Sequence, residues 1–302
     1  MSPLLEIIRD AESRGVAVGH FNVSDLTTLR AVTRAAFDLG AETGRDIPLI
    51  IGTSEGERAY LGARTIVSLV SELRASYAAR IGRLFPLFLN ADHTRSLEGV
   101  REAVEAGYDA VLFDGGALPF GENVRRSAEA AAYIRSTRPE VVFEGELGYI
   151  GSSSALLDDL PEGAAVRAED LTRPDEARLF ADETGIQLLA PAVGNLHGML
   201  KGGANPKIDT ERIRAIRRVI EVPLVLHGGS GVRDEEFTAA IDAGVSTIHI
   251  STELRLAWRR GIEGGLAHSP DEIAPYKILP SAEEAVYRVA LERLKLFNKL
   301  VY

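Results

Sequence analysis

The sequence predicts an α/β fold, a single (β/α)8 TIM barrel with an additional C-terminal helical segment. Three observations carry this. Eight β-rich runs recur along the 302 residues at a mean spacing of about 33, and a strand, a helix and two loops need roughly 30 residues or more. Several runs are continuously apolar, as in Val222-Pro-Leu-Val-Leu226, which suits parallel strands buried on both faces. A doubly wound sheet is the alternative, but no Gly-x-Gly-x-x-Gly turn follows the first run, so it lacks its usual dinucleotide fingerprint. Length alone leaves one barrel or two smaller domains. No Pro-, Gly- or Ser-rich linker divides the chain, so one domain over residues 1–302 is expected.

The strands are read, in order, as Val16–Phe21, Pro48–Gly52, Phe85–Ala91, Ala110–Phe113, Val141–Glu146, Gln187–Val193, Pro223–His227 and Thr247–Ser251. Helical patterns fill the gaps. Leu26, Leu29, Val32 and Ala36 share one face after Ser24, with Gly40 as the stop. Leu97, Val100 and Val104 follow Ser96 and stop at Gly107; Phe237, Ala240 and Ile241 precede Gly244. Ser281-Ala-Glu-Glu284 reads as a capping box before Val286, Ala290, Leu294 and Phe297. Residues 281–302 are therefore expected to form a C-terminal helix packing on the barrel or a partner subunit. Tyr287, Leu291 and Leu300 give it apolar positions on a second face. The longest irregular stretch, Gly148 to Arg173, holds Gly151-Ser-Ser-Ser154 and the acidic Asp158, Asp159 and Glu162. A barrel loop of that length is more often functional than idle.

Composition narrows the chemistry. A net charge of −10 argues against a nucleic-acid partner. No stretch has the apolar length of a membrane span, and Met1–Asp10 lacks the pattern of a signal peptide, so a cytoplasmic protein is expected. The chain has no cysteine, which excludes thiol nucleophiles, iron–sulfur clusters and Cys-type zinc sites. Its five lysines, Lys201, Lys207, Lys277, Lys295 and Lys299, all lie outside the predicted strands, which argues against a Schiff-base mechanism from a strand lysine.

In a barrel, functional groups come from the C-terminal ends of the strands. There the sequence places Asn22, then Asp92 and His93, Asp114, Glu144 and Glu146, His197, His227, and finally His249, Ser251 and Thr252. Neutral imidazoles from His93, His197 and His227 would make a three-nitrogen site with an open position. That suits Zn2+, with Co2+ or Fe2+ as substitutes; an uncorrelated set of rim histidines is the other reading. Asp92 beside them is the natural general acid/base. Strand alternation would send it away from His93, but the chain turns at a strand end. His20 and His268 have no such placement and read as solvent-exposed or structural. Gly228, Gly229 and Ser230 resemble a phosphate cradle in which backbone N–H groups approach an anion, and barrel phosphate sites tend to follow strands seven and eight. Lys201 is either a point charge for a second phosphate or a solvated loop lysine.

Taken together, Gly19-His-Phe-Asn22, Asp92-His93, Asp114 with Leu118-Pro-Phe120, Glu144-Gly-Glu-Leu-Gly148, Gly194-Asn-Leu-His-Gly198 and Leu226-His-Gly-Gly-Ser-Gly231 resemble the class II, metal-dependent fructose-bisphosphate (ketose-bisphosphate) aldolase family. The resemblance covers nearly the whole chain. It implies that His93, His197 and His227 bind zinc and that Asp92 is the catalytic acid/base. Glu146 and Asp114 match positions near the metal, used in some members for an alternative placement. Gly198, Lys201, Gly228 and Ser230 match positions that bind dihydroxyacetone phosphate, and Thr252 a phosphate-binding threonine. It also implies sugar-phosphate substrates, a role in glycolysis or related carbohydrate metabolism, a possible monovalent cation, and a homodimer or homotetramer.

Two departures stand out. The family commonly has Asn where this chain has His249, at a position that contacts the ketone part of the substrate. Many members also carry a proton-moving Glu in the loop after Gly148, where this chain reads Tyr149-Ile-Gly-Ser-Ser-Ser154; Asp158, Asp159 or Glu162 are the available substitutes. The implied activity is cleavage of fructose 1,6-bisphosphate. A related ketose such as tagatose bisphosphate, or binding without turnover because of His249, are the alternatives. Borohydride added during turnover is expected to trap no substrate adduct, whereas a lysine adduct seen by mass spectrometry would overturn the metal-dependent expectation.

Overall fold

Alternate strand residues sort into two apolar layers, and this sorting positions everything else. The computed structural model describes residues 2–151, 154–201 and 205–300. Ten strands are present among them: β1 (Val18–Asn22), β2 (Leu49–Thr53), β3 (Leu87–Thr94), β4 (Ala110–Phe113), β5 (Val142–Leu147), β6 (Leu156–Leu157), β7 (Leu188–Pro191), β8 (Met199–Leu200), β9 (Leu224–Leu226) and β10 (Val245–Ile250). Eight of them close a parallel barrel in the order β1-β10-β9-β7-β5-β4-β3-β2, while β6 and β8 form a separate two-stranded sheet. The eight barrel strands overlap the eight predicted runs, so the expected TIM barrel is the observed fold. The β6–β8 pair lies inside stretches that the sequence reads as loops.

The helices are α1 (Pro3–Ser13), α2 (Leu26–Thr43), α3 (Glu55–Leu61), α4 (Ala63–Ile81), α5 (Leu97–Ala106), α6 (Phe120–Thr137), α7 (Pro174–Thr184), α8 (Thr210–Arg217), α9 (Asp234–Ala243), α10 (Thr252–His268) and α11 (Pro275–Phe297). Outward residues such as Leu49, Val111, Phe143 and Ile248 pack under this shell of helices. Inward residues near the strand starts, including Val18, Ile50, Ala110, Val142 and Leu188, meet Leu4, Leu5 and Ile8 of α1. Helix α1 thus closes the N-terminal end of the barrel. Towards the other end the inward positions turn polar: His20, Asn22, Asn90, Asp92, Glu144, Glu146 and His249 are all buried. Among the described residues no helix is long and apolar enough to cross a membrane.

Two helix ends differ from the sequence reading. Helix α2 starts under an Asp25 cap, whose carboxylate accepts from the Thr28 N–H at 2.7 Å, and runs through Gly40 to a left-handed Gly44. An interior glycine costs only about 1 kcal/mol, so it need not end a helix. Helix α11 begins at Pro275, contains Pro280 and passes through Ser281 without a break. Ser281 and Glu284 form no capping box there; Glu284 accepts from Arg34 and Arg288 instead. By contrast, Ser96 caps α5, and Gly107 and Gly244 end α5 and α9 in left-handed conformations.

Helix α11 lies against α2 and α10. Tyr287 donates to Asp38 at 3.1 Å and receives the Arg34 guanidinium over its ring at 4.0 Å. Tyr287, Leu291 and Leu300 are partly buried on the chain's own core, so this second apolar face is already in use. At the α10–α11 crossing, a Cβ on Gly261 would stand 2.5 Å from the Ala282 Cα. Gly261→Ala must push the two helices apart and is expected to cost about 1–3 kcal/mol. An unchanged urea midpoint would contradict this packing.

Candidate active site

Strand β3 supplies two neighbouring residues to one site, which regular alternation forbids. Its pairing with β4 shows how. Ala91 pairs with Val111 and Thr94 with Phe113, so β3 carries one residue more than β4 over that interval. The extra residue is absorbed as a bulge. His93 adopts φ 46°, a left-handed conformation uncommon outside glycine. The Asp92 and His93 side chains therefore converge, with Asp92 Oδ1 3.8 Å from His93 Nε2.

The other side chains follow from parity and loop position. Glu144 and Glu146 are two apart on β5 and share the inward face; Gly145 between them faces out, where a Cβ would meet Phe180 at 2.7 Å. His227 ends β9 with its Nε2 2.7 Å from Glu144 Oε1, so Nε2 donates and Nδ1 turns its lone pair towards His93 Nε2, 3.3 Å away. His93 Nδ1 is 3.1 Å from Asp114 Oδ2 and 3.5 Å from Glu146 Oε2. His197 sits in the loop after β7, where its N–H donates to the Ile150 carbonyl at 2.9 Å.

The three rings are nearly perpendicular in pairs, with centroids 4.5, 5.0 and 5.7 Å apart. Donor atoms of His93, Glu146, His197 and His227 all lie within 4.8 Å of one another. The buried His197 Nε2 and Glu146 Oε2 have no hydrogen-bond partner, although unpartnered buried polar atoms are costly. Nitrogen and carboxylate donors without thiolate suit a divalent metal, and the carboxylates that fix His227 and His93 are the outer partners such ligands need. Asp114 stands behind His93, outside this four-donor group.

Without metal, the site is a buried charge cluster. Burial opposes a charge on His93, but Asp92, Asp114 and Glu146 outweigh it and raise its pKa to about 10. Burial and the Asp114 carboxylate push Glu146 well above the ordinary range. Burial would also raise Asp92 and Asp114. Neighbouring histidines, His93 foremost, instead hold Asp92 well below its usual value, and His93 brings Asp114 to about 2. Burial, reinforced by His93 and His227, keeps His197 neutral.

Asn22 fixes the catalytic-acid candidate by donating from Nδ2 to Asp92 Oδ2 at 2.9 Å, which leaves buried Oδ1 without a hydrogen bond. On the other wall, β9 runs into Gly228-Gly-Ser-Gly231. Gly228 has φ 62°, and a Cβ there would meet the Leu196 carbonyl at 2.3 Å, so only glycine fits. Ser230 Oγ accepts from the Ser251 and Glu253 N–H groups at 3.2 Å each, at the N-terminus of α10. Glu253 in turn accepts from Gly231 N–H at 2.9 Å and from Arg293 of α11 at 2.8 Å.

Asn22, Asp92, His93, His197, Gly198, Gly228, Gly229, Ser230, His249, Ser251 and Thr252 line one pocket. Glu146 and His227 adjoin the lining His93 and His197 through the four-donor group, and Asp114 lies behind His93. Lys201 is elsewhere: its exposed ammonium pairs with Asp158 at 3.0 Å. Asp159 and Glu162 are also exposed, and none of the three acidic loop residues lines the pocket. His268 is exposed as expected, but His20 is fully buried inside the barrel, with a pKa drawn down to about 4 by burial.

The sequence reading places Glu144 at a strand end without a role; it orients His227. Other site residues escape that reading. Asn195 donates to the His227 carbonyl at 3.1 Å. A second lobe of the cleft is lined by Ser54, Arg95 and Arg255. Arg255 is one turn beyond Thr252 on α10 and donates to Glu57 at 2.7 Å. Glu57 also accepts from Asn22 at 3.2 Å, which links this lobe to Asp92.

The family profile for fructose-bisphosphate aldolase class-II matches residues 2–300. The chain belongs to this family. A fructose-bisphosphate aldolase of Geobacillus stearothermophilus is 31% identical over 294 residues, covering 97% of this chain and 95% of the relative. One of Thermus caldophilus is 33% identical over 325 aligned positions, covering 98% and 97%. Among solved structures, the YdjI aldolase of Escherichia coli K12 superposes with a TM-score of 0.77 at 27% identity, covering 98% of this chain and 97% of that one. A Campylobacter jejuni fructose-bisphosphate aldolase structure shares the fold, with a TM-score of 0.78 at 21% identity and coverage of 98% and 94%. The protein is thus an aldolase, a carbon–carbon lyase, of a metal-dependent family that acts on sugar phosphates, and the donors around His93 are the groups that could hold the ion.

Metal ligation requires His93 to lose a proton. With its pKa raised from 6.5 to about 10 in the metal-free fold, its protonation stabilises that fold fully below pH 6.5, and this contribution is lost as pH rises through 10. Metal affinity should therefore rise about tenfold per pH unit over that window. At pH 8, calorimetry in buffers of different ionisation enthalpy should record at least one proton released per ion. No proton release would contradict the assignment of His93.

Proposed function

We propose that the protein is a zinc-dependent aldolase that reversibly cleaves a ketose 1,6-bisphosphate, fructose 1,6-bisphosphate foremost, into dihydroxyacetone phosphate and glyceraldehyde 3-phosphate. The observation that carries this reading is the ionised Asp92 carboxylate, with one unpartnered oxygen, beside three converging imidazoles. His93, His197 and His227, with Glu146 in reach, would hold a divalent ion, which when bound would supply Lewis acidity to the ketose carbonyl. Asp92 Oδ1 takes the proton of the C4 hydroxyl. The O–H electrons form the aldehyde C=O, the C3–C4 bond breaks, and its electron pair passes to the three-carbon fragment, which takes a proton from solvent while Asp92 gives up to solvent the one it accepted. In the reverse direction Asp92 returns the proton to the new hydroxyl.

The rest of the cleft provides binding. Backbone N–H groups around Gly228, Gly229 and Ser230, with Ser251 and Thr252 at the start of α10, receive the phosphate of the ketone fragment. Gly198 leaves room beside them. The second lobe, with Ser54 and Arg255, faces the other phosphate, and Lys201 would join only by leaving Asp158. His249 forms the wall next to Asp92; tagatose bisphosphate, which differs from the fructose compound at one carbon, is the competing substrate, and binding without turnover is the reading that His249 leaves open. A cytoplasmic homodimer or homotetramer belongs to the same reading.

Asp92→Ala is expected to lower kcat by about 10²–10⁴-fold with zinc content intact. Unchanged turnover would remove Asp92 from its role. Chelation should abolish cleavage and added zinc should restore it. Parallel assays on fructose and tagatose bisphosphates identify the preferred ketose.

A further inference from the structure

The mechanism above gives no role to the buried groups packed behind His249: His20, Asn90 and the gap at Gly52. Strand order places β10 between β1 and β9, and the His249 ring correspondingly lies between two others. His20 stacks on it at 3.4 Å with an interplanar angle of 2°, and His227 lies 3.9 Å away at 34°. His249 is therefore held in place. Its Nδ1 is 3.5 Å from Asp92 Oδ1, the oxygen that Asn22 leaves free.

The space for His20 is built. A Cβ on Gly52 would stand 2.1 Å from His20 Cε1, so only glycine at 52 admits the ring. Asn90 Nδ2 lies 3.1 Å from His20 Nε2 on the next strand but one. Burying imidazoles with unpartnered nitrogens costs stability that an aliphatic layer would not. A residue layer that breaks the packing rule beside an active site points to a role there.

His20, Asp92 and His249 bring ligand atoms within 4.8 Å of one another, yet the parallel rings argue against a second metal. An imidazole binds an ion in its own plane at about 2 Å. An ion in the plane of one ring would stand a full stacking distance out of the plane of the other, where it has no lone pair.

We propose that His20 is a positioning residue: seated against Gly52 and Asn90, it clamps the His249 ring beside Asp92 and so fixes the geometry of the proton-transferring carboxylate. The clamp rests on the aldolase reading only for its effect on turnover.

A double-mutant cycle tests this on zinc-loaded protein. His20→Ala should lower kcat for fructose 1,6-bisphosphate by about 10–100-fold, with KM within about twofold because the phosphate contacts are untouched. In a His249→Asn background the same substitution should have less than about threefold effect. His20→Phe, which keeps a flat ring, should recover most of the loss, and Gly52→Ala should reproduce it by displacing His20. An equal loss in both backgrounds, or a loss confined to thermal stability, overturns the clamp. Imidazole ¹⁵N–¹H spectra of the metal-free protein provide a readout without turnover. The His249 signals should be sharp in the wild type and broadened by ring motion in His20→Ala. Identical spectra overturn the clamp whatever the activity, while a wild type inactive on every ketose bisphosphate overturns the aldolase reading alone.

Discussion

One surplus residue in β3 makes the site possible. Without the bulge between Ala91 and Thr94, Asp92 and His93 would face opposite sides of the barrel wall, one towards the cleft and one towards the helices. The left-handed His93 costs backbone energy, of order 1 kcal/mol or more, and the surrounding contacts hold it there: Asp114 and Glu146 grip one nitrogen while His227 faces the other. Acid/base and metal-ligand candidates thereby become sequence neighbours, and their relative position is set by one local distortion rather than by the packing of distant strands.

Electrostatics extends the same economy. The chain carries a net charge of −10, so its overall field repels a bisphosphate. Attraction must come from local sources: the amides around Gly228 and Ser230, the start of α10, Arg95 and Arg255. The acidic groups at the centre are arranged to hold a cation. Asp114 and Glu144 sit behind His93 and His227 and select the nitrogen each ring turns inward, while Asp92 stands on the near side of His93. A divalent metal entering this cluster would replace a buried proton on His93, so only one of its two charges is added there.

Much of this was legible in the sequence because it is local. Apolar runs marked the eight strands, left-handed glycines marked helix ends at Gly107 and Gly244, and the functional side chains follow strand ends by a residue or two. Strand parity could have gone further. His20 is two residues before Asn22 and Glu144 two before Glu146, so each shares an inward face with a recognised neighbour. Other features depend on contacts between distant segments. Gly40 looked like a helix stop, yet Asp25 and Gly44 set the ends of α2. Ser281 looked like a cap, yet α11 was already under way from Pro275. The Lys201–Asp158 pair arises because β8 lies beside β6, a pairing that two-residue strands do not announce. Arg255 required knowing that α10 begins at the cleft.

The Arg293–Glu253–Gly231 connection joins the last helix to the phosphate loop. Arg293 is mostly buried and also reaches Asp234 on α9, at 2.6 Å. Helix α11 is therefore a strut as well as a cover: it braces the glycine-rich turn that lines the pocket. A change in α11, remote from the acid and the histidines, would therefore be felt at the pocket through Glu253 and the turn it holds.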